Sequence, residues 1–304
     1  MATCVALLGS CSDGGETGGT GGATGPGGQG TVTVVASFYP LQYITQRIGG
    51  DRVSVQNLTP TGAEPHEIEL TAANTASVAD ADLVVYLSGF APAVDDAVAA
   101  VGGDRALDVS ADARLDLNFV PVDGGSGGGD DVRDPHFWLD PTRLADVADA
   151  VAARLATVDP ADADLFTANA ASLVADLHTL DDEYRTGLAE CANRVIVTSH
   201  NAFGYLAEQY GLIQVGVTGL NPEDEPSPAD LARVSRYVEQ QHVTTIYSES
   251  LVSPAVAATV AAETGAMTAV LDPLEGLSDA NQGSDYLDIM RADLATLRLG
   301  QGCT

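Results

Sequence analysis

From Thr31 to the C-terminus, the chain alternates between two patterns of apolar residues. Short runs rich in Val, Ile and Leu predict buried strands, whereas apolar residues that recur every three or four positions predict helices. The predicted strands are Thr31–Phe38, Val53–Leu58, Leu83–Leu87, Ala106–Val109, Val195–Ser199, Ile213–Val217, Val243–Tyr247 and Met267–Leu271. The helices predicted between them are Leu41–Ile48, Thr71–Ala79, Pro92–Val101, Ala202–Tyr210, Pro228–Gln241, Pro254–Thr264 and Asp285–Leu299. This alternation predicts parallel sheets with covered faces.

Two longer helices are predicted between these halves of the chain. Asp140 and Pro141 are typical of an N-cap and a first helical turn, and an apolar stripe at helical spacing follows them. The next helix is predicted from Ala161 to Ala189, which corresponds to about 40 Å at 1.5 Å per residue. The predicted fold class is therefore α/β, with two lobes of parallel β-sheet flanked by helices and joined by one long, rigid helix. The corresponding domain limits are 1–30 for a signal and tether, 31–158 for the N-terminal lobe, 159–192 for the linking helix and 193–304 for the C-terminal lobe.

The charge balance restricts the partners. The 304-residue chain has 43 acidic and 13 basic residues, all of them Arg, for a formal net charge of -30. Such a negative field repels nucleic-acid phosphates, so we expect no nucleic-acid partner. Most of the acidic residues are interpreted as a solvated surface. The sequence contains no run of 18 or more apolar residues, so no membrane-spanning helix is expected.

The first thirty residues resemble the start of a bacterial lipoprotein. A short apolar run ends in Leu8-Gly9-Ser10-Cys11, which is similar to a lipobox, where a signal peptide is removed before a Cys that becomes acylated. A Gly/Thr-rich segment follows to Gly30 and is typical of a flexible tether. We therefore expect Cys11 to carry the lipid, while the alternative is an incidental Cys in a disordered N-terminus.

The chain has four cysteines. If Cys4 is removed with the signal peptide and Cys11 is acylated, Cys191 and Cys303 remain. An oxidising exterior would allow these two to form a disulfide that fastens the C-terminus, while the alternative is two free thiols.

Three histidines and one aspartate stand at positions that suit a shared site. His200 and Asp272 directly follow predicted strands, His66 lies in the loop after another, and His136 precedes a helix. Ligand sites in open α/β sheets lie beyond the carboxyl ends of the strands, so these residues of both lobes could converge in the cleft between them. Three imidazoles and one carboxylate form a donor set that suits Zn²⁺. Protons would compete with the metal as the pH falls through about 6.5, the ordinary pKa of histidine.

Other interpretations of these residues exist. Taken singly, a His in a loop is more often a hydrogen-bonding surface residue than a metal ligand, and His178 and His242 are interpreted as structural. A zinc hydrolase would need an open coordination position and a general base. Glu64, Glu67 and Glu249 are candidates for that base, but no spacing favours any of them. The motifs H-E-x-x-H, G-x-S-x-G and the P-loop are absent.

Several segments together resemble the cluster A-I solute-binding proteins, the zinc- and manganese-binding receptors of ABC importers. The resemblance extends from about Val32 to Leu299, and the segments that carry it are Ala36–Leu41, Gly62–Glu67, Ala79–Val85, Asp134–Pro141, Val197–Tyr205 and Leu271–Leu274. It implies a C-clamp of two lobes with the metal in the cleft, bound by His66, His136, His200 and Asp272. It also implies a receptor without catalytic residues, not an enzyme.

Within that family, His at the third ligand position is typical of zinc receptors and Glu of manganese receptors. This chain has His200, so the resemblance implies Zn²⁺ as the transported ligand, with Mn²⁺ as the alternative. It further implies an extracytoplasmic, cell-surface lipoprotein, anchored to the plasma membrane, that delivers zinc to an ABC permease and its ATPase. We expect a monomer. Zinc receptors often carry a His-rich loop before the second His motif, whereas residues 122–133 of this chain contain no His.

Overall fold

The computed structural model describes residues 30–119, 132–281 and 283–304. The expected lipid-carrying Cys11, the tether up to residue 29 and most of the loop 122–133 lie outside the described residues. Residues Thr31–Thr304 form one compact unit. Within the described part, no helix combines the length and the apolar character that crossing a bilayer requires.

The N-terminal lobe is built on a four-stranded parallel sheet with the strand order β2-β1-β3-β4. Its elements in chain order are β1 (Val32–Ala36), α1 (Tyr39–Gly49), β2 (Val53–Asn57), α2 (Ala72–Asp80), β3 (Leu83–Tyr86), α3 (Pro92–Ala97) and β4 (Ala106–Asp108). The interior strands β1 and β3 are mostly buried, because helices cover both faces of a parallel sheet. The helix predicted over Pro92–Val101 changes after Ala97 into a wider π-type turn.

Two helices follow the N-terminal sheet. They are α4 (Pro141–Val158) and α5 (Ala163–Gly187). Asp140 caps α4 as predicted, because its side chain accepts a hydrogen bond from the Thr142 backbone N–H at 2.8 Å. A short 3₁₀ turn, Pro160–Asp162, precedes α5, so the long helix begins two residues later than predicted.

Helix α5 contacts elements on both sides of the molecule. Near its start, the Asn169 amide donates to the Ile48 carbonyl oxygen in α1 at 2.9 Å. Near its end, the Tyr184 hydroxyl donates to the Met290 carbonyl oxygen at 2.6 Å. The 25 residues of α5 therefore connect the two halves of the chain, as the predicted strut requires.

The C-terminal lobe repeats the topology of the first, with the strand order β6-β5-β7-β8 in a second parallel sheet. Its elements are β5 (Val195–Thr198), α6 (Gly204–Tyr210), β6 (Ile213–Gly216), α7 (Pro228–Gln240), β7 (Thr245–Ser248), α8 (Ala255–Thr264), β8 (Met267–Val270) and α9 (Tyr286–Gly300). Two parallel sheets flanked by helices confirm the predicted fold class. The domain limits stay a prediction, because residues of both lobes share one apolar core.

A disulfide joins Cys191 and Cys303 across 112 positions of sequence. The segments around these cysteines also pair through their backbones, since the Ala192 N–H donates to the Gly302 carbonyl oxygen at 3.3 Å. The predicted disulfide is therefore confirmed, and it fastens the C-terminus to the segment that follows α5.

Candidate metal centre

Three imidazoles and one carboxylate meet between the two lobes. His66 lies in the loop between β2 and α2, and His136 lies directly before the short 3₁₀ turn that leads into α4. His200 comes two residues after β5, and Glu275 comes five residues after β8. Each of the four side chains offers a ligand atom that lies within 4.8 Å of the other three. Two of the side chains come from each lobe.

The distances between these atoms fit one small cation. Glu275 Oε1 lies 3.0 Å from His136 Nε2, 3.0 Å from His200 Nε2 and 3.4 Å from His66 Nε2. His66 Nε2 and His136 Nε2 are 3.3 Å apart. A tetrahedral zinc site with bonds of about 2.0–2.1 Å has ligand-to-ligand edges of about 3.3 Å. The four donor atoms therefore already stand near the corners of a zinc-sized tetrahedron.

Asp272, which the sequence suggested as the carboxylate ligand, is not part of this group of donor atoms. Its Oδ1 accepts a hydrogen bond from the Leu274 N–H at 2.8 Å, and its Oδ2 accepts one from Ser250 Oγ at 2.7 Å. Glu275 takes the expected place. It was missed because Asp272 is the first polar residue after β8, whereas a turn that no sequence pattern indicates brings Glu275 back towards the imidazoles.

His136 is fixed by the carboxylate of Asp134. Asp134 Oδ1 lies 2.7 Å from His136 Nδ1 and also accepts the His136 backbone N–H at 2.9 Å. Because a carboxylate only accepts hydrogen bonds, this contact places the proton on Nδ1 and leaves Nε2 for a metal. The Tyr205 hydroxyl donates to the Asp134 carbonyl oxygen at 3.0 Å. At Gly204 a Cβ would lie 2.3 Å from Asp134 Oδ2, so the α6 end of the other lobe packs directly against this carboxylate.

His200 has an equivalent carboxylate partner in Glu249. Glu249 Oε2 lies 2.6 Å from His200 Nδ1, and Oε1 accepts the His200 backbone N–H at 2.9 Å. Glu249 was considered in the sequence as a general base, but both of its oxygens hold His200. The side chains of His136 and His200 are 0% exposed.

His66 is held less completely. Its side chain is 10% exposed, and its ring packs on Phe90 with centroids 4.4 Å apart. Among the described residues, no carboxylate contacts its Nδ1. Glu64, two residues before it, accepts the His66 backbone N–H at 3.1 Å. Burial, together with the nearby Glu275 carboxylate, raises the pKa of Glu64 to about 7.

The titration of the ligands reflects these different surroundings. Burial acts to lower the pKa of His200, but Glu249 and Glu275 outweigh it and place that pKa well above its ordinary value. Burial likewise acts to lower the pKa of His136, but Asp134 and Glu275 raise it overall. For His66 burial prevails and its pKa is lowered. Burial acts to raise the pKa of Glu275, but the imidazoles hold it well below its ordinary value.

The remaining histidines do not belong to the site. His178 lies exposed on α5, and His242 lies exposed in the turn after α7. Neither is among the four residues that could hold a metal.

Comparisons with known proteins agree with this geometry. Residues 34–300 match the family described as zinc-uptake complex component A, periplasmic (ZnuA). The chain is 36% identical over 307 residues to the high-affinity zinc uptake system protein ZnuA of Bacillus subtilis, covering 98% of this chain and 95% of that protein. It is 34% identical over 283 residues to the zinc-binding lipoprotein AdcA of Streptococcus pneumoniae, covering 88% of this chain but only 56% of AdcA.

A solved structure shows the same fold. The Zn(II)-bound ZnuA-like domain of Streptococcus pneumoniae AdcA superposes with a TM-score of 0.73 at 33% identity, over 90% of this chain and 99% of that domain. The family match covers almost all described residues, and the resemblance inferred from the sequence is confirmed. The chain belongs to the ZnuA family of periplasmic zinc-uptake components.

Proposed function

We propose that this chain is the extracytoplasmic receptor of a zinc ABC importer and captures Zn²⁺ with His66, His136, His200 and Glu275. The observation that carries the proposal is the tetrahedral spacing of three Nε2 atoms and one Oε1 atom, with neighbouring distances of 3.0–3.4 Å. Glu275 replaces Asp272 as the fourth ligand in this proposal. The bound zinc is then delivered to a membrane permease that an ATPase drives.

The donor set supports zinc as the cargo. Three nitrogens and one oxygen suit Zn²⁺, whereas Mn²⁺ favours sites richer in oxygen. The carboxylates behind His136 and His200 orient each ring and increase its basicity, which strengthens zinc binding. A manganese receptor of the same family is the alternative, and competition between the two ions distinguishes them.

The geometry also speaks against a zinc hydrolase. A catalytic zinc keeps an open position for water, whereas four protein ligands complete a tetrahedron. The ZnuA family consists of transport components and not of enzymes, as the sequence analysis expected.

Zinc titration by isothermal calorimetry tests the proposal. We expect one zinc per chain, and we expect His136→Ala and His200→Ala to weaken binding by more than 100-fold (about 2.7 kcal/mol). His178→Ala and His242→Ala are matched controls, because they remove exposed imidazoles outside the site. Full binding by both site variants would refute the assignment. Mn²⁺ that displaces zinc at equal concentration would favour the manganese alternative.

Delivery and anchoring need cellular tests. In cells that lack this gene, the wild-type chain should restore zinc accumulation and His200→Ala should not. We further propose that Cys11 carries a lipid and that the chain acts as a monomer. The lipobox-like sequence that ends at Cys11 supports the anchor. Release of the protein from membranes after Cys11→Ala is the expected result, and unchanged membrane association would contradict it.

A further inference from the structure

The turn after β8 is what presents Glu275 to the imidazoles. Asp272 Oδ1 accepts the Leu274 N–H at 2.8 Å and so closes a tight turn around Pro273. Leu274 stands in the left-handed region at φ 53° with its side chain fully buried. A branched apolar residue adopts this backbone conformation only where its surroundings impose it. The position of Glu275 therefore depends on groups that hold this turn.

Asp272 supplies most of that support. Its Oδ2 accepts hydrogen bonds from Ser250 Oγ at 2.7 Å and from the Asn281 side-chain amide. Its backbone N–H donates to Asp293 Oδ1 at 3.0 Å, and the residue is only 5% exposed. Both carboxylate oxygens thus face protein donors, and Asp272 cannot turn to a metal without breaking these bonds.

The same network reaches a second ligand. Ser250 directly follows Glu249, the carboxylate that holds His200 Nδ1. One short segment after β7 therefore orients His200 directly and Glu275 through Asp272. On the opposite side, the Trp138 indole N–H donates to the Pro273 carbonyl oxygen at 2.8 Å, which fixes the turn against the N-terminal lobe.

We infer that Asp272 is a positioning residue that sets the Glu275 carboxylate for zinc capture without touching the ion. This inference rests on the proposed function, because it requires Glu275 to be a ligand. It differs from a ligand role for Asp272 in one respect that can be measured. A positioning residue matters only while Glu275 is present.

A double-mutant cycle tests this dependence. Zinc affinity is measured by competition with a chromogenic chelator for wild type, Asp272→Ala, Glu275→Ala and the double variant. We expect Asp272→Ala alone to weaken binding about 10- to 100-fold, as is typical when a group that orients a metal ligand is removed. In the Glu275→Ala background the same change should have no further effect.

Two further measurements separate the roles. Asp272→Asn keeps Oδ1 as an acceptor for the Leu274 N–H, so it should bind zinc more tightly than Asp272→Ala. The visible absorption of Co²⁺ bound in the site should change in Asp272→Ala in the same way as in Glu275→Ala. Asp181→Ala is the matched control, because it removes a buried, hydrogen-bonded carboxylate from α5, and it should leave both readouts unchanged.

The outcomes are distinct. If the effects of Asp272→Ala and Glu275→Ala accumulate, or if Asp272→Asn binds as weakly as Asp272→Ala, Asp272 is itself a ligand and the inference is overturned. If Glu275→Ala binds zinc as tightly as wild type, the proposed ligand set fails instead. Should Asp272→Ala not fold, Ser250→Ala replaces it in the cycle, with a smaller loss that again disappears when Glu275 is absent.

Discussion

Zinc capture should release protons, and Glu249→Gln should reduce their number. In the metal-free protein the pKa of His200 lies well above its ordinary value, although burial opposes this, because Glu249 and Glu275 stabilise the imidazolium. The pKa of His136 is raised by Asp134 and Glu275 against the same effect of burial. Both rings therefore carry a second proton at neutral pH, and zinc must displace it from Nε2.

The structure gives the size of the effect. His66 has a lowered pKa and Glu275 a pKa well below its ordinary value, so neither has a proton to lose near pH 7. About two protons should leave for each zinc bound, and zinc affinity should then fall about 100-fold for each unit by which the pH drops. Because the two histidine pKa values are raised, this loss begins above the ordinary value of about 6.5 expected from the sequence.

Replacement of Glu249 by Gln removes one of the two negative charges that stabilise the His200 imidazolium. Burial then acts with less opposition, so about one proton rather than two should be released, and affinity should fall only about tenfold per pH unit. Calorimetry in buffers of different ionisation enthalpy counts the protons directly. Equal proton release by wild type and Glu249→Gln, or fewer than one proton from wild type at pH 7, would refute the reasoning. His178→Ala should release as many protons as wild type.

Three further results are expected. Cys303→Ser removes the disulfide to Cys191, which should cost about 3 kcal/mol and lower the melting temperature by about 5–10 °C in thermal denaturation, with zinc affinity unchanged. Glu67→Ala removes the 2.6 Å hydrogen bond from the exposed Asn221 amide across the cleft, and stopped-flow chelation should show zinc leaving up to about fivefold faster, whereas Glu69→Ala should not change the rate. Removal of zinc by a chelator should lower the melting temperature, because zinc at about 1,000 times its Kd stabilises the folded state by about 4 kcal/mol; an unchanged temperature would contradict zinc binding to the folded chain.

Most of the fold could be predicted because its elements follow simple periodicities. The predicted strand Val195–Ser199 and helix Pro228–Gln241 agree with β5 and α7 to within one residue at each end. Differences arise where local geometry departs from the period. The strand predicted from Val243 begins at Thr245, because the Val243 N–H still bonds to the Val238 carbonyl oxygen at the end of α7.

The candidate site was predictable as far as strand ends reveal it. His200 stands directly beyond β5, and the rule that ligands lie at the carboxyl ends of parallel strands identifies it. The same rule selects Asp272 over Glu275, because it cannot see the turn that Leu274 makes at positive φ. Glu249 also lies beyond a strand, β7, but its role depends on a contact with His200 49 positions away, which a single sequence does not reveal.

The division of the donor atoms, two from each lobe, makes the ion itself a cross-link in the protein. Zinc coordination tolerates departures of only about 0.2 Å from its preferred bond lengths. A separation of the lobes by a few tenths of an ångström would therefore exceed what the cage can accommodate and leave the ion with half of its bonds. A transporter that grips both lobes could unload the cargo by a slight shear, with no need to prise the molecule open.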